Sequence, residues 1–278
     1  MNFSELANLF SYPFIMRAII VGVLVSLCAS LLGVILVLNR YSLIGHGLSD
    51  VGFASLSLAM AVGVSPLLMA TPIVIITSFI IMYVSQSKKI NGDVAIGIFS
   101  TGALAVGIII TALTKGFNTD VYSYMFGSIL SMNITDVALS VVLSVVILSV
   151  FIIFYNRLFV VTADESFAKA SGINVKFYQF LISFLTAITV VLGMRMMGTL
   201  LISSLIIFPA VTAKKIVRSF KGLMILSAVI SVICFVIGIL ISFVLNIPTG
   251  AGIVAVNIVS MIIVSMVGQV REAIGIKV

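Results

Sequence analysis

From Gly222 to Val270 the sequence contains not one charged residue. An α-helix crosses the roughly 30 Å hydrocarbon core of a bilayer with about 20 residues. A run of this length is therefore two spans, and it breaks at Asn246-Ile247-Pro248-Thr249-Gly250, where turn residues cluster. A second double-length run, Val51–Ser87, breaks at Gly63-Val64-Ser65-Pro66. The remaining charge-free runs are Ala18–Asn39, Val94–Thr114, Val137–Asn156, Phe177–Met194 and Met196–Ala213. Together they predict an all-α polytopic membrane protein with about nine transmembrane helices. Phe177–Met194 and Met196–Ala213 are the shortest runs, and eight spans result if one of them is partial.

Composition excludes the alternative. Soluble domains carry about 25% charged residues; here 8% of 278 residues are charged and 62% are hydrophobic. The net charge of +7 does not mark a nucleic-acid binder, because its basic residues are scattered between apolar runs. Cys28 and Cys234 both lie in apolar stretches, so neither a disulfide framework nor a CxxC motif is implied. Met1–Arg17 has no basic leading region, and no removable signal peptide is expected.

The basic residues report orientation instead. With the C-terminus inside, Arg40, Lys88, Lys89, Arg157, Lys169, Lys176, Lys214, Lys215, Arg218, Lys221, Arg271 and Lys277 face the cytoplasm. Only Arg17, Lys115 and Arg195 face outward. The positive-inside rule then places the N-terminus outside. Two segments are too short to span. Ser4–Phe14, with Leu6, Phe10 and Phe14 at helical spacing, predicts an interfacial helix, and Val121–Met132 a short helix on the outer side. No repeat or linker interrupts residues 1–278, which read as one transmembrane domain.

The longest inner loop, Arg157–Lys176, predicts a helix over about 163–171. Thr162-Ala163-Asp164-Glu165 fits a capping box, and Gly172 supplies a left-handed stop. Phe167, Ala168 and Ala170 give that helix a small apolar face. Residue chemistry leaves two roles open, a helix that closes the loop or one that docks a cytoplasmic partner.

Charge inside a span costs at least about 2.5–3.5 kcal/mol, which makes each instance a candidate for function. Of the eight acids, Asp50 alone falls within a span, the one that Tyr41–Met60 must supply. The only histidine, His46, lies four residues earlier, on the same helix face. Imidazole and carboxylate are both ligands for divalent metals, but two ligands do not close a site. Other groups or a second copy of the chain must join them. The small residues of this span (Gly45, Gly47, Ser49, Gly52, Ala54, Ser55, Ser57, Ala59) permit close helix approach. Ion handling, a packing hydrogen bond and a proton relay all fit the pair. Arg195 reads as snorkelling at a span end, and Met194, Met196 and Met197 as packing. No GxxxxGK[ST], HExxH or GxSxG motif occurs, so the chain is not expected to be an enzyme or to bind ATP itself.

Four stretches carry a resemblance. Arg40–Asp50 (RYSLIGHGLSD), Tyr124–Leu130 (YMFGSIL), Asp164–Ile173 (DESFAKASGI) and Gly198–Ala213 (GTLLISSLIIFPAVTA) resemble the permeases of ABC importers for zinc, manganese and iron, at the expected spacing over almost the whole chain. The resemblance implies a cobalamin-importer-like permease fold in a bacterial plasma membrane, acting as a homodimer. It also implies a separate cytoplasmic ATP-binding subunit and an extracellular metal-binding solute-binding protein as partners. No cofactor belongs to the chain itself; a divalent metal ion, zinc or manganese, is the cargo. The docking role then falls to Asp164, Glu165, Phe167, Ala168 and Gly172, and the metal role to His46 and Asp50. Most members read SLIGDGLSH, so the acid and the histidine are exchanged here, which moves each ligand by one turn, ~6 Å along the helix. An imidazole–carboxylate pair leans toward zinc, since manganese prefers more oxygen ligands.

Overall fold

A computed structural model of the chain describes residues 13–86, 92–114 and 134–273. Ten helices account for nearly all of them: α1 (Pro13–Leu38), α2 (Ile44–Val62), α3 (Pro66–Gln86), α4 (Gly92–Leu113), α5 (Ile134–Ala163), α6 (Glu165–Ala170), α7 (Val175–Met197), α8 (Thr199–Lys214), α9 (Phe220–Leu245) and α10 (Thr249–Ala273). No strand occurs among the described residues. The helix expected at Val121–Met132 and the resembling stretch Tyr124–Leu130 lie outside the described residues. So does Ser4–Phe14, except that Pro13 and Phe14 open α1.

Helices dominate because lipid offers no partner for a backbone N–H or C=O, so each segment must satisfy its own. Seven of the helices are long and apolar enough to cross a membrane, namely α1, α3, α4, α5, α7, α9 and α10. The other two long ones fall short for different reasons. Helix α8 has 16 residues, and α2 is diluted by glycine, serine and its His–Asp pair. The expected nine segments are therefore all present as helices.

Breaks follow residue chemistry. Helix α2 ends at Gly63 (φ 75°) and α9 at Asn246 (φ 52°), both left-handed, which stops a helix and frees the chain to turn. Helices α7 and α8 part at Gly198 rather than at Arg195. Its φ of 86° with ψ of 162° is a conformation almost restricted to glycine. Arg195 stays in the last turn of α7. Between α1 and α2 the left-handed position falls on Arg40 (φ 62°). The Arg40 N–H reaches Val37 O and the Tyr41 N–H reaches Leu36 O at 2.8 Å, so the final carbonyls of α1 are satisfied.

The core lies where α1, α2, α7 and α8 meet. Glycine lets the helices approach closely. A Cβ at Gly33 of α1 would run into the Ile206 carbonyl of α8, and one at Gly22 into the Phe235 ring of α9. Serine adds hydrogen bonds between helices: Ser227 and Ser231 of α9 donate to the Ser30 and Ser26 carbonyls of α1. The falling partner numbers make that pair antiparallel. Helices α3, α4, α5, α9 and α10 present exposed Ile, Val and Leu outward, as a lipid-facing rim requires.

Candidate metal-passage site and inter-helix turn

Helix α2 is threaded between neighbours on three sides, and a glycine marks each approach. A Cβ at Gly45 would meet Ile206 of α8 at 2.7 Å, one at Gly47 would meet Ile96 of α4 at 2.8 Å, and one at Gly52 would meet the Met194 sulfur of α7 at 2.5 Å. Met194 and Met197 are buried packing residues, as their apolar surroundings predict.

The α2–α4 contact has a readable register. Asp50 pairs with Ser100, Phe53 and Ala54 lie against Gly107, and Ser57 pairs with Thr111 at 3.0 Å. Partner numbers rise together, so the two helices run in the same direction. This parallel pairing brings Asp50 of α2 and Ser100 of α4 to one level.

His46 and Asp50 sit on one face of α2 as their spacing requires, with Nε2 and Oδ2 3.7 Å apart. That gap is too long for a hydrogen bond but short enough for one small cation to be shared. The two side chains differ sharply in exposure, 59% for His46 against 12% for Asp50. Asp50 is thus the inner member, and a carboxylate there needs a donor. The Ser100 hydroxyl supplies it, donating to Asp50 Oδ2. Sequence reading missed Ser100. Fifty positions separate it from Asp50, and one serine in an apolar span looks like any other. No group of three or more His, Cys, Asp or Glu side chains able to hold a metal occurs among the described residues. Any ion at this pair needs ligands from elsewhere.

The predicted inner-loop helix exists, but it is shorter and capped differently. Helix α5 continues to Ala163, and the Thr162 hydroxyl donates back to Leu158 O within it, so Thr162 caps nothing. Asp164 is the cap: in extended conformation (φ −151°), its Oδ1 accepts from Ser166 N at 2.9 Å and Phe167 N at 3.0 Å. Only Glu165–Ala170 is helical. Gly172 (φ 77°) does supply the stop. Its N–H reaches Lys169 O and that of Ile173 reaches Ala168 O, which closes the last carbonyls. The apolar face is also corrected. Ala168 is fully buried beneath α6, so it seats the helix and is no contact surface, while Phe167 is 60% exposed and Ala170 is exposed. Glu165 accepts from Lys169 Nζ at 2.6 Å.

This turn lies near the α1–α2 turn. Burial, and after it the charge of the Glu165 carboxylate, hold the Tyr41 phenol above its usual pKa. Tyr41 in turn rests on the first residue of α4, where a Cβ at Gly92 would lie 2.6 Å from its ring.

Residues 11–268 match the ABC 3 transport family. The chain belongs to that family, whose members are transporter permease subunits rather than enzymes. It is 30% identical over 247 residues to the manganese import system permease protein ScaB of Streptococcus gordonii, covering 89% of this chain and 88% of that one. It is 26% identical over 243 residues to the high-affinity zinc uptake system membrane protein ZnuB of Haemophilus influenzae, covering 87% and 93%. Among solved structures it superposes on a chain of PsaBC from Streptococcus pneumoniae in complex with Fab with a TM-score of 0.83, at 30% identity and 95% coverage of both chains.

Proposed function

We propose that this chain is the membrane-spanning subunit of a bacterial ABC importer for a divalent transition metal ion, and that His46 and Asp50 contact the ion in passage. The observation that carries the reading is Asp50, a carboxylate buried inside a span within 3.7 Å of the only histidine. The relatives include a manganese and a zinc permease. An imidazole–carboxylate pair suits zinc first and manganese with added oxygen ligands.

Two copies of the chain would place two such pairs about a twofold axis. His46, exposed in one copy, then faces the shared path, and the second pair completes the ligand set. A cargo site must release what it binds, so a few ligands at modest affinity serve better than a closed cage. A separate ATPase subunit docks on α6 through Phe167, with Asp164, Glu165 and Gly172 holding the helix in shape and Ala168 seating it. An extracellular solute-binding protein delivers the ion, and the N-terminus lies outside.

The test is uptake of Mn²⁺, Zn²⁺ and Fe²⁺ into proteoliposomes holding the permease–ATPase complex. Asp50→Ala and His46→Ala should assemble with the ATPase and lose uptake and metal-stimulated ATP hydrolysis. Normal uptake by both variants discards the site. Uptake that continues without the ATPase and collapses with an uncoupler replaces the importer with a proton-coupled carrier.

A further inference from the structure

We infer that Ser100 is a positioning residue for the metal path, holding the Asp50 carboxylate in the orientation that meets the ion; this rests on the proposed role of Asp50. A serine or threonine in a lipid-embedded helix commonly satisfies itself by donating to the carbonyl one turn back. Ser49, Ser55 and Ser57 of α2 and Thr101 and Thr111 of α4 all do so. These are all the other hydroxyls of the two helices. Ser100 points its proton across the interface, as Ser227 and Ser231 do from α9, but its acceptor is the Asp50 carboxylate at Oδ2 rather than a backbone carbonyl.

That oxygen is also the one nearest His46 Nε2. An aspartate carboxylate turns freely about its last torsion, whose wells are broad and two-fold. A donor on Oδ2 removes that freedom and occupies one of its lone pairs. The ion then meets a carboxylate already turned toward the imidazole. Ser100 is itself well held: it is 8% exposed, and its Cβ would lie 3.8 Å from a Cβ at Gly47. Gly47, between His46 and Asp50 in sequence, is what lets α4 come close enough. Hydrogen bonds to a ligating carboxylate typically change metal affinity 10–100-fold when removed. Ser100→Ala deletes one oxygen and leaves the packing volume almost unchanged.

The experiment measures metal uptake by the assembled permease–ATPase complex in proteoliposomes, with Mn²⁺ and Zn²⁺ as probes, for Ser100→Ala, Ser57→Ala and Asp50→Ala. Ser57→Ala is the packing control, because it breaks the other α2–α4 side-chain hydrogen bond, to Thr111, away from Asp50. A positioning role raises KM for Ser100→Ala by about 10-fold or more with kcat unchanged, and Ser57→Ala leaves KM where it was. A packing role instead lowers the number of active complexes, hence kcat, and does so for both serines. KM unchanged in Ser100→Ala, or raised equally in Ser57→Ala, overturns the inference, while loss of uptake in Asp50→Ala keeps the site. Normal uptake in Asp50→Ala brings down the proposed role of Asp50 on which this inference rests.

Discussion

The α2–α4 interface and the α5–α7 turn carry the two ends of the proposed mechanism, and they are built in opposite ways. The turn is local. Asp164 caps α6, Lys169 answers Glu165 one turn on and Gly172 ends it, all within nine residues of chain. The membrane site is long-range: Asp50 depends on Ser100, and both depend on Gly47 leaving room for Ile96. In water a polar group out of place finds a solvent molecule, so a turn tolerates imprecision. In the bilayer interior it finds nothing, so helix spacing decides whether the carboxylate is satisfied. The site on α2 should therefore fail through bulk, and α6 through backbone conformation.

The largest effect is expected at Gly47. Gly47→Leu must push Ile96 and α4 away, an overpacking cost of about 1–3 kcal/mol, and part Ser100 from Asp50. Metal uptake in proteoliposomes should be lost while the ATPase subunit still co-purifies. Uptake retained at the starting level would mean that the site does not need α4 so close.

Gly172→Ala tests the other kind of glycine. An added Cβ there meets nothing within 4 Å, so only the left-handed backbone objects. That costs about 1–2 kcal/mol, or about 10-fold weaker ATPase binding if α6 must be formed to dock. Pull-down titration with the ATPase subunit measures it, and metal binding at α2 should not change.

Asp164→Ala removes the cap at a cost of about 1 kcal/mol, so ATPase binding should weaken about five-fold. Asp164→Ser should restore most of it, because a serine oxygen also accepts from the next turn. Full binding by the alanine variant would show that partner contacts, not the cap, shape α6. Lys169→Ala should do least. Its pair with Glu165 is more than half exposed on the lysine side, and such pairs contribute about 0.3–0.5 kcal/mol. A change of about two-fold at low salt that vanishes at high salt is the expected result in the same titration.

What could be read without coordinates divides along the same line. Charge-free runs located the spans, and Gly63 and Asn246 their breaks, because these features act on their immediate neighbours. Gly172 was legible for that reason. The cap was misplaced by two residues, since Thr162-x-x-Glu165 and Asp164 are both valid N-cap chemistry. The choice between them turned on how far α5 runs before it ends. The inward turn of Ala168 depended on α5 and α7 enclosing it. His46 and Asp50 stood out because charge is so scarce in this chain.

Chain composition and residue order are enough to place this protein in a membrane, to divide it into helices and to single out the two residues with candidate charge chemistry inside one of them. Each rests on the cost of moving polar groups into lipid, which acts on a segment whatever its neighbours are. Tertiary structure alone decided that Asp50 is the inner partner and His46 the open one. It also decided which of many buried serines serves the carboxylate, because that depends on how closely two helices fifty residues apart can pack.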